Sequence, residues 1–122
     1  MDSDRILIVD DERDTLGLIE LTLQTAGYQV TTAVSGAQAL SLLEQDSFNL
    51  LLLDVMMPDM TGFQIIETLR EKGRGIPPIV FLTAKGREED VETGIKLGAV
   101  AYLKKPTTRG DLLDTIQAAL GK

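Results

Sequence analysis

The sequence predicts an α/β fold: a doubly wound, five-stranded parallel sheet, strand order 2-1-3-4-5, with helices on both faces. Three observations predict it. Four short apolar runs are spaced along the chain, and none of them alternates with polar residues as a half-exposed strand would. Each ends in a chemically able polar residue. Ile6-Leu7-Ile8-Val9 runs into Asp10-Asp11, Leu50-Leu51-Leu52-Leu53 into Asp54, Ile79-Val80-Phe81-Leu82 into Thr83, and Val100-Ala101-Tyr102-Leu103 into Lys104-Lys105-Pro106. Short continuous apolar runs are the pattern of strands buried on both faces of a parallel sheet. The segments between them carry helical spacing, so strand and helix alternate along the chain.

The elements follow in order. After the first run, Leu16, Ile19, Leu23 and Ala26 recur at three- and four-residue intervals, and Gly27 supplies a stop. Residues 28–33 read as the second strand. Ser35 is placed to cap a helix carrying Ala39, Leu40 and Leu43. The four leucines are the third strand. Thr61 caps a helix holding Ile65, Ile66 and Leu69, which ends near Gly73 and the Ile76-Pro77-Pro78 break. The fourth strand leads to a helix over residues 86–97, with acids in its first turn and Lys96 near its end, as the helix dipole favours. After the fifth strand, Thr108 and Asp111 have the spacing of a capping box that opens the last helix. Right-handed crossovers put these helices on both faces of the sheet. The strand order then reverses between the strands ending in Asp10 and Asp54, and such a switch point is where open α/β sheets bind ligands.

With 122 residues, 43% of them hydrophobic, the chain is expected to form a single domain over residues 1–122 with its own core. No Ser/Pro-rich linker, repeat, membrane-length apolar stretch or signal-peptide pattern interrupts it, and it has no cysteine. A cytoplasmic location is expected. The net charge of −7 argues against direct nucleic-acid binding, which needs a basic face. The absence of histidine as well as cysteine removes the commonest general base and the thiol nucleophile. Any chemistry here runs on carboxylates, hydroxyls, lysines or a metal.

Singly, each candidate residue has an ordinary explanation. Asp10 and Asp11 could form a solvated turn or cap the following helix, Asp54 could sit in a turn, Thr83 could cap one, and Lys105 could be a surface lysine. The sheet changes that, because it brings all of them to one edge. Two like charges about 4 Å apart cost roughly 4 kcal/mol at an effective dielectric near 20. Three converging carboxylates therefore need protons or a cation, and Lys105 alone cannot neutralise them. A hard divalent ion with oxygen ligands meets that need, and the open octahedral site favours Mg²⁺. Pro106 restricts the backbone at Lys105, which aims its ammonium inward. Metal, ammonium and hydroxyl around one carboxylate form a clamp suited to phosphoryl transfer.

The strings ILIVDDE, LLLLDVMMPDMTG, IVFLTAKG and LGAVAYLKKP resemble the receiver domain of two-component response regulators, in order and across essentially the whole chain. The resemblance implies the flavodoxin-like version of the predicted fold. It implies that Asp54 accepts a phosphoryl group. Asp11, Asp54 and the Met56 backbone carbonyl would bind Mg²⁺, with Asp10 assisting through water. Lys105 would pair with the phosphoryl group, Thr83 would move toward it, and Tyr102 would be the aromatic switch. The Lys105–Pro106 bond would be cis. The implied partners are a sensor histidine kinase or histidine phosphotransfer protein and a downstream effector, with no membrane and no nucleic acid. The chain departs from the family in having Thr107 where phenylalanine is common. Winged-helix members usually carry two acids and an arginine at the positions of Val100, Ala101 and Gly110, so this chain lacks those charges of their dimer interface.

The resulting expectation is a signalling switch that catalyses only its own phosphorylation and dephosphorylation. A receiver-like module working by contact alone would have lost an acid or Lys105, and this chain has lost neither. A carboxylate phosphatase acting on metabolites would need a cap domain and a second acid/base near Asp54, which the sequence does not supply.

Overall fold

Each predicted strand forms where its apolar run lies, and a computed structural model describes residues 4–84 and 88–122. The order is β1 (Arg5–Val9), α1 (Arg13–Thr25), β2 (Gln29–Ala33), α2 (Gly36–Gln45), β3 (Leu50–Asp54), α3 (Gly62–Glu71), β4 (Ile79–Thr83), α4 (Glu88–Lys96), β5 (Ala101–Lys104) and α5 (Arg109–Ala119). The strands pair in the order β2-β1-β3-β4-β5, all parallel, as the sequence predicts. Residues 85–87 of the expected fourth-helix start lie outside the described residues.

Ile6 to Val9 and Leu50 to Leu53 are wholly inaccessible to solvent, because the two central strands are covered on both faces. Neighbouring residues along a strand point to opposite faces, which divides the interior in two. Leu7, Val9, Leu51, Leu53 and Phe81 pack with Ala39 of α2 and Ile65, Ile66 and Leu69 of α3. Ile6, Ile8, Leu50, Leu52, Val80 and Leu82 pack with Leu16, Ile19 and Leu23 of α1 and Leu112 and Ile116 of α5.

The helix starts show which sequence signals carry weight. At Ser35 the hydroxyl accepts from the Gln38 N–H. Thr61 and Gln64 form a complete capping box, each side chain taking the other's backbone N–H. At Thr108 the hydroxyl accepts from the Asp111 N–H, but the reciprocal contact is absent among the described residues. A capping box is made with Glu or Gln at this position, and the aspartate side chain is one methylene shorter than Glu. The second strand begins one residue later than expected, leaving Tyr28 before it. Val100 also falls outside its expected strand. Its N–H still donates to the Ile79 carbonyl at 2.9 Å, but its side chain is 56% exposed. The fifth strand is at the sheet edge, so the residue just before it can pair through its backbone without burying its side chain.

Tyr102 lies against α4 at Gly94. A Cβ on Gly94 would collide with the tyrosine hydroxyl and ring, so the missing side chain makes the space that the ring occupies. The ring also packs on Phe81, with centroids 5.4 Å apart.

Candidate functional site

The register assembles the site from the carboxyl ends of the strands. Val9 of β1 pairs with Leu53 of β3, so Asp10 and Asp54, each the next residue along, meet at the same level. Asp54 pairs with Leu82 of β4, and Thr83 pairs with Lys104 of β5. The Lys105 N–H donates to the Thr83 carbonyl at 2.7 Å, and the Lys105–Pro106 peptide is cis. Asp10, Asp54, Thr83 and Lys105, all singled out in the sequence, thus reach one edge.

Lysine and carboxylates are in contact there. The Lys105 Nζ lies 2.7 Å from Asp10 Oδ2 and 3.2 Å from Asp54 Oδ2. Asp10 is fully buried, and its Oδ1 accepts from the Glu12 N–H at 2.9 Å. The half-buried Asp11 completes a cluster with Asp10 and Asp54 whose carboxylate oxygens lie within 4.8 Å of one another. The Met56 N–H points at Asp54 Oδ1 across 3.4 Å. Thr83 is buried at the end of β4. Tyr102 sits against Phe81 and α4.

The electrostatics follow from burial and charge. Burial pushes Asp54 up from its ordinary 3.8 to about 6; Lys105 opposes the rise and Asp10 adds to it. For Lys105, burial alone would lower its pKa, but Asp10 and Asp54 outweigh that and raise it, so it stays cationic. One ammonium serves two buried acids, and Asp54 remains harder to ionise than a free carboxyl. The cluster is short of positive charge. Its donors are all hard oxygens, which fits a divalent cation of the Mg²⁺ type.

Two neighbours were not singled out from the sequence. Glu12 precedes α1 and places Oε1 3.4 Å from the Lys105 Nζ, a third carboxylate around one ammonium. The third consecutive acid after a strand was the available signal. Asp59, in the loop between β3 and α3, accepts from the Gly36 N–H through Oδ1 and the Ala37 N–H through Oδ2, both at 3.0 Å. These amides at the start of α2 hold Asp59 below the ordinary carboxylate range.

A family profile described as the response regulator receiver domain matches residues 6–117. The chain belongs to that family. The receiver domain is 43% identical over 116 residues to the transcriptional regulatory protein CpxR of Escherichia coli (strain K12), covering 95% of this chain and 49% of that protein. It is 39% identical over 108 residues to the response regulator SaeR of Staphylococcus epidermidis, covering 88% of this chain and 46% of that one. The chain spans about half the length of the curated relatives it matches. Among solved structures, the Vibrio cholerae chemotaxis protein CheY4 superposes with a TM-score of 0.90 at 34% identity, over 97% of this chain and 99% of that one. A CheY-like receiver domain protein from Methanospirillum hungatei JF-1 gives a TM-score of 0.90 at 33% identity, over 98% and 95%. The receiver domain therefore has the CheY-like, flavodoxin-type sheet and the signalling class of two-component systems rather than that of a conventional enzyme. Among the described residues, no helix is long and apolar enough to cross a membrane.

Proposed function

We propose that this receiver domain is a cytoplasmic phosphorylation switch in which Asp54 takes a phosphoryl group from a phosphohistidine on a sensor kinase or a histidine phosphotransfer protein. One observation carries the reading: Asp10, Asp11 and Asp54 bring their carboxylate oxygens within 4.8 Å, with the Lys105 ammonium in contact with two of them. Asp11, Asp54 and the Met56 carbonyl are the residues that would hold Mg²⁺, with Asp10 supporting it through water. When bound, the ion neutralises charge on the transferring phosphoryl oxygens.

The chain's own residues do the rest. An Asp54 carboxylate oxygen attacks phosphorus as the phosphorus–nitrogen bond of the donor breaks and the imidazole leaves with the electron pair. Asp54 must be ionised to attack, and with a value of about 6 it is so near neutral pH. Lys105 is cationic beside it and meets the negative charge that the phosphoryl group brings. Asp10 is buried and already committed to Lys105 and the Glu12 N–H, which leaves Asp11 the freer of the pair for the ion. Thr83 then turns toward the phosphoryl oxygens and Tyr102 follows. The change is read by an effector on the face around α4 and β5.

Incubation with acetyl phosphate and Mg²⁺ tests the acceptor. One phosphoryl mass is expected on the parent, and none on Asp54→Asn or with a chelator present. Unchanged labelling of Asp54→Asn would move the acceptor to another residue. The switch has its own measurement, in which beryllofluoride is added during an amide NMR titration. Shifts are expected to reach from Thr83 to Tyr102. Shifts confined to the loops of Asp11 and Asp54 would mean that this domain binds the phosphoryl mimic without switching.

A further inference from the structure

The loop over residues 55–61, between β3 and α3, carries Met56, buries Met57 in the core and is held by hydrogen bonds at two places. At its start, the Val55 N–H donates to the Leu82 carbonyl at 2.9 Å and the Val55 carbonyl accepts from the Gly62 N–H at 2.8 Å. At its far side, Asp59 takes the first two amides of α2, both at 3.0 Å. The second attachment joins elements that are 23 residues apart in sequence. It is backed by packing, since Met60 lies so close over Gly36 that any Cβ there would overlap the Met60 side chain. Ser35 already caps α2 through the Gln38 N–H, so the helix has its own cap without Asp59. Met56 therefore lies between the Val55 hydrogen bonds on one side and the buried Met57 and the Asp59 attachment on the other, and its own side chain is 64% exposed and offers little anchorage.

We infer that Asp59 is a positioning residue for the metal site: by tying the β3–α3 loop to the start of α2, it fixes the backbone at Met56. The inference rests on the reading that the Met56 carbonyl helps to hold Mg²⁺. Preorganised backbone ligands bind a small cation that tolerates little deviation from octahedral geometry, and supporting contacts of this kind commonly alter affinity by an order of magnitude or more. Gly36 contributes by admitting Met60, which completes the seat.

The test is a Mg²⁺ titration by calorimetry on the full chain, with urea unfolding and amide hydrogen exchange on the metal-free protein. Asp59→Ala is expected to weaken Mg²⁺ binding about tenfold and to speed exchange at the Met56 N–H. Asp59→Asn retains an acceptor for one α2 amide and is expected to fall between, and it serves if the alanine variant does not fold. Ser35→Ala removes a cap from the same helix end without touching the loop; it should lower stability and leave Mg²⁺ affinity at the parent value. If Asp59→Ala and Asp59→Asn bind Mg²⁺ as the parent does, or if Ser35→Ala weakens binding equally, the positioning role is wrong although the metal reading stands. If the parent itself shows no saturable Mg²⁺ binding, the metal reading fails and the inference falls with it.

Discussion

Lys105→Met is expected to destabilise the metal-free domain by about 3–5 kcal/mol near neutral pH, the usual consequence of stranding a buried charge. Asp10 has no exposed surface, and Lys105 at 2.7 Å is the cation that compensates it. Methionine fills a similar volume, so the loss reports the missing charge and little else. A loss of that size is a large fraction of the roughly 5–15 kcal/mol that holds a domain together. The carboxylates left behind can recover by taking up protons or a divalent ion. The deficit should therefore shrink under mild acid and under saturating Mg²⁺. Urea unfolding of parent and variant, with and without Mg²⁺ and across the acid range, measures all of this. A variant as stable as the parent near neutral pH would show that Asp10 does not depend on Lys105.

Asp54→Asn is expected to change stability in the opposite direction. The native carboxyl titrates at about 6 against an ordinary 3.8, so between those values the folded state holds more protons than the unfolded one. The stability this group contributes is fully present below the lower value and is lost as pH rises through the higher one. Near neutral pH, the ionised Asp54 is thus a net cost to the metal-free domain. Each pH unit between the two values corresponds to about 1.4 kcal/mol, which sets a ceiling near 3 kcal/mol. Solvent relaxation around the carboxylate brings the expected gain for asparagine to about 1–2 kcal/mol. That corresponds to a rise of several degrees in the melting midpoint. The parent's stability should decline through this window while that of Asp54→Asn does not, and Mg²⁺ binding near the upper value should release a proton. Parallel pH profiles for the two proteins would rule out Asp54 as the source.

Much of this site was legible because it depends on periodicity and strand ends. Four uninterrupted apolar runs dictated buried parallel strands, and parallel strands deliver their last residues to one edge. That brought Asp10, Asp54, Thr83 and Lys105 together before any contact was known. The Lys105-Pro106 pair likewise pointed the ammonium inward, and it is in contact with both acids. The details that escaped are those in which side chains from separate elements meet. Asp59 reads as a loop acid after a proline, and nothing local says that it seats on a helix 23 residues earlier. Gly94 reads as a mild fault within a helix until Tyr102 is seen against it. Val100 continues an apolar run, but the sheet edge leaves its side chain in water. Periodicity reports which face is buried and not which partner arrives there.

The division of the interior by the sheet also bears on how such a domain can diversify. Leu52 and Leu53 are adjacent in the chain, yet one is packed among α1 and α5 and the other among α2 and α3. Side chains on the two sides share few neighbours, so changes on one side are felt weakly on the other. Phe81 belongs to the α2–α3 side, and Tyr102 packs against it. Drift in α1 and α5 can remodel the surface offered to one partner while the aromatic pair keeps its setting. The two sides of the sheet are then free to vary separately, while the row of acids at the strand ends belongs to both.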